Sequence, residues 1–155
     1  MVEIRAVTPD EFSLFEPFFV LYQEFYEVEE IDSERNRDFF SRFVVSPERP
    51  AGGDGGTDDG WLLGAFEGGK PVGFGCFYRH KSSLTATDLV LMNDLYVSED
   101  VRGQGVGRKL IEAGVELARA SGASHLAWST APDNHRAQKL YDTTGAEKST
   151  WLEYE

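Results

Sequence analysis

Cysteine, lysine, histidine and long apolar runs are all scarce in this chain of 155 residues, and each scarcity excludes something. Cys76 is the only cysteine, so no intrachain disulfide and no cysteine-based metal cluster can form. Its neighbours Phe74 and Phe77 mark it as a core thiol rather than a nucleophile. His80, His125 and His135 follow no shared metal-ligand spacing, so no metal is expected. No apolar run could span a bilayer, and Glu3 and Arg5 interrupt the start with charge, unlike a signal peptide. The expectation is a cytoplasmic protein with no membrane partner.

Basic charge is short as well. The net charge is −12, and only five of the 15 bases are lysines. Residues 1–60 hold 15 acids against 5 bases, so the front of the chain carries most of the excess. A nucleic-acid partner needs a basic footprint, and none is present. Two readings of the acidity stay open: a field that draws in cationic substrates, or a solvated surface adapted to salt. The low lysine content and a Gly/Asp-rich segment favour the second.

What is present suits one domain over 1–155, with 41% apolar content for its core. Val2 to Val7 alternates as a half-buried strand. Thr8-Pro9-Asp10-Glu11 then reads as a helix start with Thr8 as N-cap and Glu11 closing a capping box. An aromatic stripe from Phe12 to Tyr26 follows with helical spacing, interrupted by Pro17, which predicts a break or bend. A second helical pattern runs from Ser33 to Val45. Residues 46–60 are rich in Gly, Pro and Asp and read as a mobile loop. Trp61 to Glu67 and Pro71 to His80 form a hairpin signal, with Asp88 to Val97 as the next strand. A helix over 105–120 and a short strand, Ser124 to Thr130, complete a βαβ unit with parallel strands. Pro132 and Asp133 open another helix that stops at Gly145, and Lys148 to Tyr154 reads as a last strand.

The stretch Val101 to Arg108 organises the rest. Gly103, Gly105 and Gly107 let the backbone curl with its N–H groups inward, ahead of a helix whose positive dipole end faces the same place. Residues 101–111 contain three bases and no acid. The position, at the carboxyl end of a strand in a βαβ unit, suits an anionic ligand. The spacing fits neither a P-loop nor a dinucleotide fingerprint, because Arg108 stands where the latter needs its third glycine.

The spacing Arg102-x-x-Gly105-x-Gly107 resembles the signature with which the GCN5-related N-acetyltransferase (GNAT) superfamily holds the pyrophosphate of acetyl-CoA. A second block, Asn134-x-x-Ala137-x-x-x-Tyr141-x-x-x-Gly145-Ala146, is similar to the same family. Leu21 to Tyr26 and the ending Trp151 to Glu155 resemble its small polyamine and histone acetyltransferase branch. The resemblance implies an α/β fold (α+β in some schemes) with three α-β-α layers around a central mixed, largely antiparallel sheet. It implies acetyl-CoA as co-substrate and a small-molecule amine or protein amino group as acceptor. Leu95, Tyr96 and Val97 would offer backbone groups to the pantetheine arm and acetyl carbonyl. Arg102, Gly103, Gln104, Gly105, Val106, Gly107 and Arg108 would hold the pyrophosphate, Asn134 and Ala137 the pantetheine, and Tyr141 would be the general acid. Asn93 stands where relatives often carry a carboxylate, which leaves Asp94, Glu29 or Glu30 as substitutes for the base. Only ten residues follow Gly145, enough for one terminal strand where the family commonly has two, so a homodimer covering the free sheet edge is expected. A non-catalytic acyl-CoA-binding module is the rival from another class.

Overall fold

A computed structural model describes all of residues 1–155. Five strands form one sheet in the order in which they occur in the chain: β1 (Val2–Ala6), β2 (Gly60–Glu67), β3 (Lys70–Ser82), β4 (Thr87–Val97) and β5 (Leu126–Ala127). The first four pair antiparallel and β5 pairs parallel to β4. Helices α1 (Phe12–Phe25) and α2 (Ser33–Phe40) cover one face. On the other lies α3 (Val106–Ala120), with α4 (His135–Tyr141) beside its N-terminus. The layered mixed sheet and the parallel βαβ unit are those expected from the sequence.

The chain can build this sheet because β2 is apolar on both sides. Trp61, Leu63 and Ala65 face α3, where they meet Val106, Leu110, Ile111 and Ala118. Leu62 and Phe66 face an aromatic layer of Phe15, Phe19, Phe40 and Phe74. Phe19 stacks on Phe40 with ring centroids 3.9 Å apart and meets Phe74 edge-on at 5.1 Å. Phe15 and Phe19 are completely buried, and that packing carries α1 unbroken through Pro17. The expected break is therefore absent: one missing ladder bond costs less than separating the aromatic layer. Half of the expected capping box forms, with the Glu11 carboxylate accepting from the Thr8 N–H at 3.1 Å. Glu11, not Thr8, is the N-cap, and no side chain caps the helix.

Three further expectations are corrected. The Gly/Asp-rich segment is anchored rather than loose. Arg79 on β3 forms paired 2.7 Å hydrogen bonds to Asp54 and donates to the Thr57 carbonyl at 2.9 Å, and its guanidinium lies 4.2 Å from the Trp61 ring centroid. Thr57, 3% exposed, donates to the Arg42 carbonyl at 2.6 Å. The strand expected over Ser124 to Thr130 shortens to Leu126–Ala127, for a reason that lies in β4 and is given below. Residues 146–155 form no strand. Their apolar side chains Trp151, Leu152 and Tyr154 are exposed, because β5 offers too short a ladder to pair with.

Arg79 also holds the Asp54 carboxyl below its usual range, chiefly through the paired hydrogen bonds. A depressed carboxylate contributes stability that is complete above its unfolded pKa and fades as pH falls through the folded one. Asp54→Asn is expected to cost about 1–3 kcal/mol at neutral pH and to expose residues 52–60 to limited proteolysis. The difference from the parent should shrink below about pH 3.8. Chemical denaturation at both pH values checks it.

Candidate active site

The site begins with a defect in β4. Cys76 pairs with Asp94 but Phe77 pairs with Met92, which leaves Asn93 as an extra residue in the ladder. A bulge of this kind bends its strand and interrupts pairing. β5 therefore pairs with β4 only at Val90↔Leu126 and Leu91↔Ala127, and past the bulge β4 has β3 on one side and no strand on the other. Leu95, Tyr96 and Val97 line the opening with that free strand edge. This is why the strand expected to reach Thr130 stops at Ala127.

At the carboxyl end of β4 the chain makes a single 3₁₀ turn (Glu99–Val101) and enters the glycine loop. Gly103 and Gly105 have φ of +80° and +83°, a region where a side chain is strained. Gly105 is the N-cap of α3 and supplies no side-chain cap. The first helical bond runs from the Lys109 N–H to the Gly105 carbonyl at 3.1 Å, and the N–H groups of residues 103–108 donate to nothing in the chain. A row of unpaired donors at a helix N-terminus is an anion site. Gly107 lets α4 approach, since a Cβ there would lie 3.1 Å from Leu140 Cδ2.

The loop's arginines are already engaged. Arg102 Nε donates to the Val97 carbonyl at 2.8 Å, and its Nη1 lies 3.8 Å from Glu99 Oε1. Arg108 donates to the Thr143 hydroxyl and to its carbonyl at 3.5 Å. Both still line the cleft and brace the loop from its two ends. Gln104 is exposed and outside the cleft, unlike the other loop residues assigned to the anion. Arg136, which the sequence reading passed over, lines the cleft without an ion pair.

On the far wall Asn134 caps α4 by accepting the Ala137 N–H at 3.2 Å. Asn134, Ala137 and Tyr141, which the family resemblance assigns to the cofactor, all line the cleft. The Tyr141 ring meets Trp128 edge-on at 5.5 Å. Burial, with a smaller contribution from Tyr26, pushes its phenol up to about 12. The opposite wall is Tyr22, Phe25 and Tyr26, the end of the aromatic stripe. The first part of that stripe is core, but α1 outruns the sheet beneath it, leaving Phe25 59% and Tyr26 46% exposed. The cavity measures about 380 Å³.

Asp94 is not on the cleft surface. It is 4% exposed on the α1 side of the sheet, where burial raises its pKa against the opposing hydrogen bonds of Tyr22 and Asn93. Glu29 and Glu30 are exposed in the segment after α1 and do not line the cleft either. No Asp, Glu or His lines it, and no cluster of His, Cys, Asp or Glu is arranged to hold a metal ion.

A splayed mixed sheet whose opening ends on a glycine anion loop is the acyl-CoA N-acyltransferase fold. The sequence model described as "Acetyltransferase (GNAT) family" matches residues 15–146, and the chain belongs to that family. It is 45% identical over 75 residues to a D-amino-acid N-acetyltransferase, HPA3, of Saccharomyces cerevisiae, covering 48% of this chain and 47% of that one. It is 37% identical over 82 residues to the thialysine N-epsilon-acetyltransferase of Bos taurus, covering 53% and 48%. The chain thus spans about half the length of these curated relatives. A solved structure described as a probable acetyltransferase superposes with a TM-score of 0.79 at 28% identity, covering 99% of this chain and 95% of that one.

Proposed function

We propose that the protein transfers an acetyl group from acetyl-CoA to a primary amine by direct attack in a ternary complex. The observation that carries this reading is the row of unpaired N–H groups over residues 103–108, open to a cleft whose other end is a free strand edge. A pyrophosphate on the loop would place the pantetheine along Leu95, Tyr96 and Val97, between that edge and the Asn134–Ala137 turn. Backbone N–H groups of β4 would then be available to the developing oxyanion, and Tyr141 to the departing thiolate. Direct attack needs no nucleophile from the protein, which agrees with Cys76 being fully buried and pushed toward its neutral thiol by that burial. We read the protein as cytoplasmic. A homodimer would cover the short β5 edge and the exposed Trp151, Leu152 and Tyr154.

Binding and turnover are tested separately. Acetyl-CoA at about 100 times its Kd should stabilise the protein by about 2.7 kcal/mol, read as a rise in Tm. A panel of thialysine, D-lysine, an aminoglycoside and spermidine, with detection of released CoA thiol, tests transfer. A Tm that acetyl-CoA leaves unmoved overturns the reading. A shift with no thiol release from any amine supports the rival acyl-CoA-binding module.

A further inference from the structure

The buried Asp94 does nothing evident for the fold. The other two buried polar side chains are fully used: Asn36 exchanges a pair of 2.8 Å hydrogen bonds with Gln23, and Thr57 ties the Gly/Asp segment to the Arg42 carbonyl. Asp94 has no cation and no backbone N–H. It accepts from the Asn93 amide at 3.2 Å, and the phenol of Tyr22, which donates to the Asn93 carbonyl at 3.5 Å, lies close by. Burying a carboxyl among Phe74, Cys76 and Tyr78 on so little support costs stability.

Tyr22 explains its presence. The Tyr22 ring packs on Phe74 and Tyr26 at 6.1 and 5.0 Å, yet the residue also lines the cleft, and its hydroxyl lies 3.5 Å from the Asn93 carbonyl beside the Asp94 carboxyl. Tyr26, Tyr96 and Tyr141 are the other phenols of the cleft; Tyr22 is the one with a carboxyl behind it. The cleft has no carboxylate or imidazole of its own, so a proton leaving the amine must go to water or to a phenol that can pass it on.

We propose that Tyr22 takes the proton released by the attacking amine while handing its own to the buried Asp94 carboxylate. The pair thereby serves as the base of the reaction, and this rests on the acetyl-transfer reading above. As the amine nitrogen bonds to the acetyl carbon, its N–H proton moves to the Tyr22 oxygen and the Tyr22 proton moves to Asp94. The tyrosine stays neutral throughout. Asp94 becomes the carboxylic acid, and the thiolate leaves with a proton from Tyr141. Asp94 then returns its proton through Tyr22 to solvent when the products depart, and Tyr141 regains one from solvent, which restores both groups for the next turnover. Tyr22 is the catalytic residue, and Asp94 acts through it.

The groups around Asp94 agree with this direction of transfer. Tyr22 faces it from α1, and Cys76 and Tyr78 from β3; burial pushes each of the three toward its neutral form, and none is a cation. Burial is the largest influence on Asp94 and favours its protonated form. A carboxylate so placed accepts a proton more readily than an exposed one.

The experiment uses Tyr22→Phe, Asp94→Asn and the double variant, with the fastest acceptor of the panel. Tyr22→Phe removes one hydroxyl and keeps the ring packing. It should lower kcat about 10²-fold or more while leaving the acetyl-CoA shift and the Tm in place. Asp94→Asn should lower kcat similarly and keep or raise the Tm, and the double variant should be no worse than either single one. In the parent, kcat should fall on the acid side around a pKa above the ordinary carboxylate range. That limb should vanish in Asp94→Asn. Reading kcat at saturating acceptor removes the titration of the free amine. Independently of turnover, the ¹³C shift of the Asp94 carboxyl should titrate above the ordinary range and move in Tyr22→Phe. Tyr22→Phe within threefold of the parent in kcat, additive losses in the double variant, or an Asp94→Asn enzyme that keeps its acid limb overturns the relay alone. A parent that fails to bind acetyl-CoA would instead overturn the earlier reading.

Discussion

Replacing Tyr141 by phenylalanine is expected to lower kcat by about 10²- to 10⁴-fold, the usual contribution of a general acid, with acetyl-CoA binding nearly unchanged. The phenol stands on the cleft wall opposite the free edge of β4, one α4 length from the Asn134 cap. A thiolate leaving between those walls meets it without any rearrangement of the helix. With its pKa pushed up to about 12, Tyr141 is protonated throughout the neutral range and can always donate. Such a phenol is a weak acid toward a thiolate in water. The burial that raises the phenol also penalises a thiolate in the same cleft, so the two groups are closer in basicity there than in solution. The Trp128 contact is retained by phenylalanine, so packing alone predicts almost no loss. A kcat within threefold of the parent, at a pH where chemistry limits the rate, would remove Tyr141 from the mechanism.

Gly105→Val is expected to abolish the acetyl-CoA-dependent rise in Tm. A Cβ at Gly105 meets no atom of the protein within 4 Å, so the side chain would stand in open space at a residue that lines the cleft. At φ +83° any side chain also costs about 1–2 kcal/mol, which pulls the loop out of its donor geometry. Gly122→Val is the matched control. It has φ +74°, equally open surroundings and a place at the far end of α3, so it carries the strain without touching the loop. A folded Gly105→Val protein with the full thermal shift would show that the phosphates bind elsewhere.

The βαβ unit, the hairpin and the anion loop were legible in the sequence because each is written locally, in glycine spacing, turn residues and helical periodicity. The far wall came from the resemblance of one short block to the acetyltransferase family, and Asn134, Ala137 and Tyr141 share one short helix and its cap. The near wall was not legible. Tyr22, Phe25 and Tyr26 repeat at helical spacing just as Phe15 and Phe19 do, and only the extent of the sheet beneath α1 decides which of them are buried. The anchoring of the Gly/Asp segment was hidden for a similar reason, because the Asp54–Arg79 pair joins residues 25 positions apart. The place of Asp94 depends on the bulge, and the run Asp88 to Val97 is apolar on both sides, so no change of phase shows in its pattern. Charge was a partial guide: three bases marked the loop, but two of them brace it, and Arg136 went unnoticed.

The bulge at Asn93 has a consequence for insertions and deletions. Val90 and Met92 before it and Leu95 and Val97 after it all face α3, and Asp94 and Tyr96 face the aromatic layer. If Asn93 were removed, every one of these side chains would keep its face, because strict alternation would simply resume from Met92 to Asp94. Asn93 is thus supernumerary for the core, and its presence holds two neighbouring strands apart. A chain lacking it should fold with both apolar layers intact and let β5 zip further along β4, trading an open cleft for a longer ladder.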